Sequence, residues 1–183
     1  MRPERLIAVV LVMAGTVIVV VAVWLLQRSP EPPPAPEASG GPPAGAEAGS
    51  VVHVSDGDTV IVEVGGVQER VRLIGLDAPE IAHPEEGTPA ECGGDAARAA
   101  TSALVAGLDV RLEREVSDRD RFGRLLRHVW VQSSAGWLLV GEELVEDGAV
   151  EARSYPPDTA RDEQLDAAER RARQAGVGIW ATC

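Results

Sequence analysis

The stretch VVHVSDGDTVIVEVGGVQERVRLIGL, residues 51–76, limits the possible folds of this 183-residue chain more than any other part of it. Its short apolar, β-branched runs are broken by Asp56-Gly57-Asp58 and by Gly65-Gly66. Two glycines between alternating segments signal a tight hairpin turn. Strands are therefore expected at about 51–55, 59–64 and 67–76. A turn at Gly65-Gly66 sets Val64 across from Val67, and the same register sets Thr59 across from Arg72 and Asp58 across from Leu73. Arg72 is thereby placed beside the Asp58-Thr59 corner, and the strand runs on to Asp77 at the same end of the hairpin.

The rest of the chain adds helices to this sheet. GGDAARAATSALVAGL reads as a helix over 95–106, with Ala96, Ala99, Ala100, Ala103 and Leu104 as its inward stripe and Gly107 as its stop. Strands are expected at 109–115 and 125–132, a short helix in LLVGEELVEDG, and a longer helix over 160–175 with Leu165, Ala168 and Ala172 inward and Gly176 at its end. Five short strands, a helix after the third and helices after the fifth describe an α+β domain built on a small barrel.

The N-terminal part has a different character. Residues 6–26, LIAVVLVMAGTVIVVVAVWLL, carry no charge, and as a helix rising ~1.5 Å per residue they span roughly the 30 Å of a bilayer's hydrocarbon. The length favours an uncleaved anchor over a cleaved signal peptide or a buried core helix. Arg2 and Arg5 precede the run and only Arg28 closely follows it, which favours a cytoplasmic N-terminus and an exported remainder. Residues 29–50, rich in Pro, Ala, Gly, Glu and Ser, read as a semi-extended linker. The expected organisation is thus an anchor or signal sequence at 1–28, a linker at 29–50 and a globular domain at 51–183.

All 17 basic residues are Arg, and 29 acidic residues bring the net charge to −12. Such a balance argues against non-specific binding of nucleic acid through a basic surface, so a polyanion has to be captured locally by a few arginines or a bound cation. The cysteines are Cys92 and Cys183. In an exported domain they are most simply a disulfide; two free thiols are the alternative, and two cysteines alone fall short of a usual zinc ligand set.

The corner at the hairpin's open end is expected to gather Asp56, Asp58, Asp77 and Glu80 beside Arg72. Converging carboxylates need a compensating cation, and hard oxygen donors suit Ca²⁺, or Mg²⁺ with more water retained. Asp and Gly are also ordinary turn residues, so spacing alone leaves both readings open.

Four motifs, SDGDTV, VRLIGLDAPE, DRDRFGR and the closing GVGIW, together resemble the staphylococcal nuclease, or thermonuclease, family over essentially all of 51–183. The resemblance implies a five-stranded OB-fold barrel with three helices, here preceded by one N-terminal transmembrane helix. It implies Ca²⁺-dependent hydrolysis of DNA and RNA to 3′-phosphate products. By motif, Asp58 and Asp77 correspond to carboxylate calcium ligands and the carbonyl of Ala78 to a third ligand. Glu80 corresponds to the general base, and Arg72 and Arg124 to the arginines that grip the scissile phosphate. Asp56 and Thr59 resemble supporting residues, and Tyr155 resembles an aromatic that stacks on the nucleotide base, with a structural aromatic beside Pro156 and Pro157 as the alternative. Phe122 stands where an aromatic hydroxyl is common, Gly141 where an asparagine is often found, and Glu85 and Glu86 in a loop that is basic in the best-known members. A monomer with no obligate protein partner is expected, and the 6–26 anchor implies display outside the cytoplasmic membrane. A silent OB-fold module binding nucleic acid or protein is the competing class; Asp58, Arg72, Asp77, Glu80 and Arg124, all five present, together favour the enzyme. His53, His83 and His128 form no ligand pattern.

Overall fold

The computed structural model describes residues 40–82, 84 and 87–183. The expected anchor at 6–26, residues 29–39 of the linker, His83, Glu85 and Glu86 lie outside the described residues. Among the described residues no helix is long and apolar enough to cross a membrane.

Strand β1 (Glu47–Val54) pairs antiparallel with β2 (Thr59–Val64), and β2 with β3 (Val67–Leu73). On its other side β1 pairs with β5 (Asp109–Glu113), and β5 with β6 (Leu125–Ser133). A parallel pairing of β3 with β6 closes these five strands into a barrel. Strand β7 (Gly136–Leu139) extends β6 as a hairpin, and the short β4 (Leu76–Asp77) pairs with β8 (Glu151–Ala152). Helices α1 (Gly94–Val105), α2 (Val140–Glu146) and α3 (Asp162–Ala175) pack on this frame, followed by the single turn α4 (Ile179–Thr182). Val60, Val62, Val71, Leu112, Val129, Leu144 and Leu165 are among the fully buried side chains of the core.

The β2–β3 register is the one the two-glycine turn demands: Val64 faces Val67 and Thr59 faces Arg72. Gly65 and Gly66 both have positive φ (58° and 83°), the conformation such a turn requires at both central positions. Strand β1 starts four residues before the expected position 51. Residues 47–50 have little strand propensity, but they pair with β5, and Gly49 lies so close to Val62 that an added Cβ would sit 2.5 Å from its Cγ1. A slip in the β1–β2 register between Val51 and His53 marks a bulge, and Val52 there is exposed.

The inward stripe of α1 differs from the expected one. Ala96, Ala99 and Ala103 are exposed, Ala100 and Leu104 are half-buried, and the helix buries Ala97, Thr101 and Val105 instead. A hydroxyl decides the rotation: Thr101 Oγ1 donates to the Gly57 carbonyl at 2.7 Å, which satisfies a buried polar group that an alanine stripe never needed. Gly57 also meets Ala97 so closely that an added Cβ would lie 2.8 Å from the Ala97 Cβ. Helix α3 buries Leu165, Ala168 and Ala172 and ends at Gly176 in the left-handed conformation. Gly141 lets α2 approach Leu76, whose Cδ2 would be 2.9 Å from an added Cβ. Trp130 is fully buried and donates to Glu113 at 2.8 Å, while Trp137 and Trp180 are half-buried at the periphery.

Candidate functional site

Asp58 is the centre of the site because the fold removes it from water. It follows Gly57, which α1 pins against the barrel, and its side chain is buried, with a relative exposure of only 3%. Its carboxylate is surrounded by donors. Oδ1 accepts the Thr59 hydroxyl at 3.0 Å, Oδ2 accepts the Ala78 amide at 3.1 Å, and Arg72 Nη1 pairs with Oδ2. Burial pushes its carboxyl up to about 7, against the pull of Arg72, and the neighbouring Asp56 charge adds to the rise.

Arg72 reaches this carboxylate because the hairpin register sets it opposite Thr59. Its Nη2 donates to the Leu76 carbonyl and to Asp77 Oδ1, both at 3.1 Å. One guanidinium therefore draws Asp58 and Asp77 to the same place. Pairing with Asp58 raises the Arg72 pKa against the desolvation that lowers it.

Arg124 arrives from the loop before β6. Asp120 fixes that loop by accepting the Phe122 and Arg124 amides at 2.9 Å each on Oδ1, and Oδ2 accepts Arg124 Nε at 2.7 Å. Arg124 Nη1 then donates to Thr59 Oγ1 at 3.3 Å, so a chain of hydrogen bonds links Arg124, Thr59, Asp58 and Arg72.

The four carboxylates expected at this corner do not converge. Asp58 and Asp77 meet through Arg72, whereas Asp56 turns its Oδ1 onto the Asp58 amide at 3.0 Å. Among the described residues no three His, Cys, Asp or Glu side chains gather as a metal cluster. Close carboxylates without a cation repel each other, and Asp56, Asp58 and Asp77 find amide or guanidinium partners instead. The donor chemistry nevertheless fits a hard divalent cation: Asp58 is a buried oxygen donor whose ionisation needs a nearby positive charge, and Asp77 and Ala78 stand next to it. Glu80 lies two residues beyond Ala78, exposed, and no hydrogen-bond or ion-pair partner of its carboxylate occurs among the described residues.

Arg153 is part of this neighbourhood although no local motif marks it. The β4–β8 pairing brings it to Asp77, where Nη1 meets Oδ2 at 2.7 Å, and its amide donates to the Gly75 carbonyl at 2.9 Å. Its guanidinium also lies 5.9 Å from the ring of Tyr155. Burial and the nearby Asp77 charge raise the Tyr155 pKa. Tyr155 and Phe122 are both exposed, with the Arg121 and Arg124 guanidiniums 4.7 and 5.6 Å from the Phe122 ring. Asp120 and Glu91, which hold Arg124 and the Glu80 backbone, were likewise not marked as site residues by the motifs. The i,i+4 spacing of Asp120 and Arg124 inside DRDRFGR is a local signal from which this pair is readable.

Cys92 and Cys183 are joined by a disulfide, which ties the start of α1 to the end of the chain. His128 is buried on β6 against Glu115, its pKa lowered by that burial, and belongs to the packing between β6 and the segment that connects β5 to it.

A family model described as Staphylococcal nuclease homologue matches residues 70–182. The chain is 34% identical over 131 residues to a thermonuclease of Staphylococcus hyicus, covering 72% of this chain and 74% of that one. It is 35% identical over 130 residues to a thermonuclease of Staphylococcus intermedius, covering 71% and 74%. Similarity extends to Protein ParB of Escherichia coli, at 34% over 145 residues and 76% of each chain.

Proposed function

The chain belongs to the staphylococcal nuclease family, and from that premise we propose that it is a Ca²⁺-dependent nuclease that cuts DNA and RNA to 3′-phosphate ends. Family membership supports a nuclease. The observation that carries it is the bonded chain Arg72, Asp58, Thr59 and Arg124, which places two arginines from separate elements at one buried carboxylate.

The residues divide the reaction between them. Asp58, Asp77 and the Ala78 carbonyl would hold Ca²⁺, which when bound offsets phosphate charge and lowers the cost of forming the attacking hydroxide. The Arg72 and Arg124 guanidiniums match phosphate oxygens as planar forks and stabilise the charge that builds on them in the pentacovalent transition state. The Glu80 carboxylate, exposed and without a competing partner among the described residues, accepts the proton of the attacking water. In-line attack breaks the bond from phosphorus to the 5′-oxygen and leaves phosphate on the 3′ side. Tyr155 offers a ring face to a base. The uncharged run at 6–26 supports a membrane-tethered protein with this domain outside, acting as a monomer.

The test incubates the full chain with single-stranded DNA and with RNA in Ca²⁺, Mg²⁺ or chelator, beside Glu80→Gln and Arg124→Ala, with end-group analysis of the products. Calcium-dependent cleavage to 3′-phosphates, lost in both variants, is the expected result. A folded chain that cuts neither polymer under any of these conditions overturns the reading in favour of a binding module. Fractionation tests the tether: intact chain is expected with membranes, and a soluble species beginning after residue 26 overturns it.

A further inference from the structure

Glu80 is the reactive carboxylate in the reading above, yet it is exposed on an irregular segment, where its position has to be imposed from outside. The segment that imposes it is Glu91-Cys92-Gly93-Gly94. The Glu80 amide donates to Glu91 Oε2 at 3.0 Å, and the Glu91 amide donates back to the Glu80 carbonyl at 2.9 Å. This reciprocal pair fixes both polar groups of the Glu80 backbone at once. The contact is also close-packed: a Cβ added at Gly94 would lie 2.3 Å from the Glu80 carbonyl oxygen.

Glu91 is in turn adjacent to Cys92, whose disulfide reaches Cys183 across 91 residues of sequence. The chain end is not loose. The Ile179 amide donates to the Gly148 carbonyl at 2.9 Å, and the Cys183 amide closes α4 onto the Ile179 carbonyl at 2.9 Å. Gly93 lies between the two partners, since a Cβ there would meet Ile179 Cγ2 at 2.7 Å and Pro79 Cγ at 3.5 Å. A continuous mechanical path therefore runs from the end of α2 at Gly148, through α4 and the disulfide, to Glu91 and the Glu80 backbone.

We propose that Glu91 is the positioning residue for Glu80, and that the Cys92–Cys183 bridge holds Glu91 in place to do it. The proposal rests on Glu80 being the carboxylate that accepts the proton. Without the strap the Glu80 backbone loses both tethers and samples geometries in which its carboxylate misses the water. Misplacement of a reacting group by about 1 Å costs on the order of 10²-fold in rate, while phosphate binding by Arg72 and Arg124 is untouched. The signature is thus a fall in kcat at nearly constant KM.

The full chain serves for the test, as parent, Glu91→Leu, Glu91→Gln and the Cys92→Ser/Cys183→Ser double variant. Two readouts are taken: hydrogen exchange of the Glu80 amide, and kcat with KM on single-stranded DNA. Glu91→Leu, which leaves the bridge intact, and the double variant are expected to speed Glu80 amide exchange roughly fivefold or more, the equivalent of about 1 kcal/mol of lost hydrogen bond. Both are expected to lower kcat roughly 10- to 100-fold with KM within about twofold. Glu91→Gln keeps an oxygen acceptor and is expected to stay near the parent in both. Unchanged Glu80 exchange in Glu91→Leu overturns the strap, and changed exchange with unchanged kcat overturns its catalytic role. A parent that cuts nothing sinks the nuclease reading and the catalytic role with it, while the exchange data still decide whether the strap exists.

Discussion

Around Arg127 and around Asp58 the same residue types meet on the same barrel with opposite consequences. Arg127 is itself buried, and its guanidinium donates to Glu47, to Asp118 and to the carbonyls of Asp118 and Leu126 at 2.8–3.4 Å. Nearby, Arg119 forks Glu69 with two bonds of 2.8 Å. The carboxylates of this cluster keep access to water, and hydrogen bonds from Arg127 and Arg119 hold Asp118 and Glu69 below the usual carboxylate range. At the other cluster the burial is reversed: the carboxylate of Asp58 is the buried partner, and desolvation lifts it to about 7 despite Arg72. An arginine surrounded by wet carboxylates is a structural tie that needs nothing more. A buried carboxylate that stays hard to ionise beside one arginine is a place where another cation has something to contribute.

The contrast can be broken most directly by making one substitution at both places. Arg72→Lys keeps the charge but removes the fork that matches phosphate, so DNA cleavage is expected to fall by roughly 10²-fold or more. Arg127→Lys loses hydrogen bonds that a single ammonium cannot replace; it is expected to lower unfolding stability by about 1–3 kcal/mol while the folded protein cuts at the parental rate. Denaturant titration and initial rates on the same samples separate the two, and an Arg127→Lys protein that is stable but inactive would erase the distinction.

A smaller and pH-dependent effect sharpens it. In chelator the folded Asp58 binds its proton more tightly than the unfolded chain does, so its contribution to stability is fully present below about 3.8 and is lost as pH rises through about 7. The parent is therefore expected to lose stability relative to Asp58→Asn between pH 4 and pH 8. Calcium at about 100 times its dissociation constant is expected to return ~2.7 kcal/mol to the parent and nothing to the variant. Urea unfolding across that pH range is the measurement, and a parent that gains on Asp58→Asn in chelator as pH rises would show that burial does not dominate at Asp58.

The smallest effect belongs to Arg153, whose pair with Asp77 lies at the surface, the arginine being 59% exposed. Exposed pairs contribute about 0.2–1 kcal/mol. Arg153→Ala is accordingly expected to tighten cation binding by no more than about fivefold, read by calorimetry. Weaker binding would mean that Arg153 supports the cation site rather than competing with it.

Legibility in the sequence followed the range of each interaction. The β2–β3 hairpin, its register and the nearness of Arg72 to Asp58 follow from a two-residue turn with period-two side chains, all local quantities. The face of α3 was legible because Leu165, Ala168 and Ala172 are apolar on a polar helix. The face of α1 was not: with alanines all round, the partner of one hydroxyl decided the rotation, and that partner, Gly57, lies 44 residues away. Strands β7 and β8 and the turn α4 are short and take their structure from what they pair with, so their composition carried little signal. The same holds for residues 47–50, which become strand through β5.

The hairpin, the order of the main elements, the residue types at the corner and the family to which the motifs belong are all readable along the chain. Those are matters of short-range sterics, periodicity and spacing along the chain. Long-range packing settles which carboxylate is dry, that Asp56 turns to the Asp58 amide instead of joining a cluster, that β8 delivers Arg153 to Asp77, and that Cys183 reaches back to brace Glu80 by way of Glu91. Burial and charge pairing depend on which distant segments meet, and barrel closure by the parallel β3–β6 pairing, with the helices packed around it, is what makes them meet.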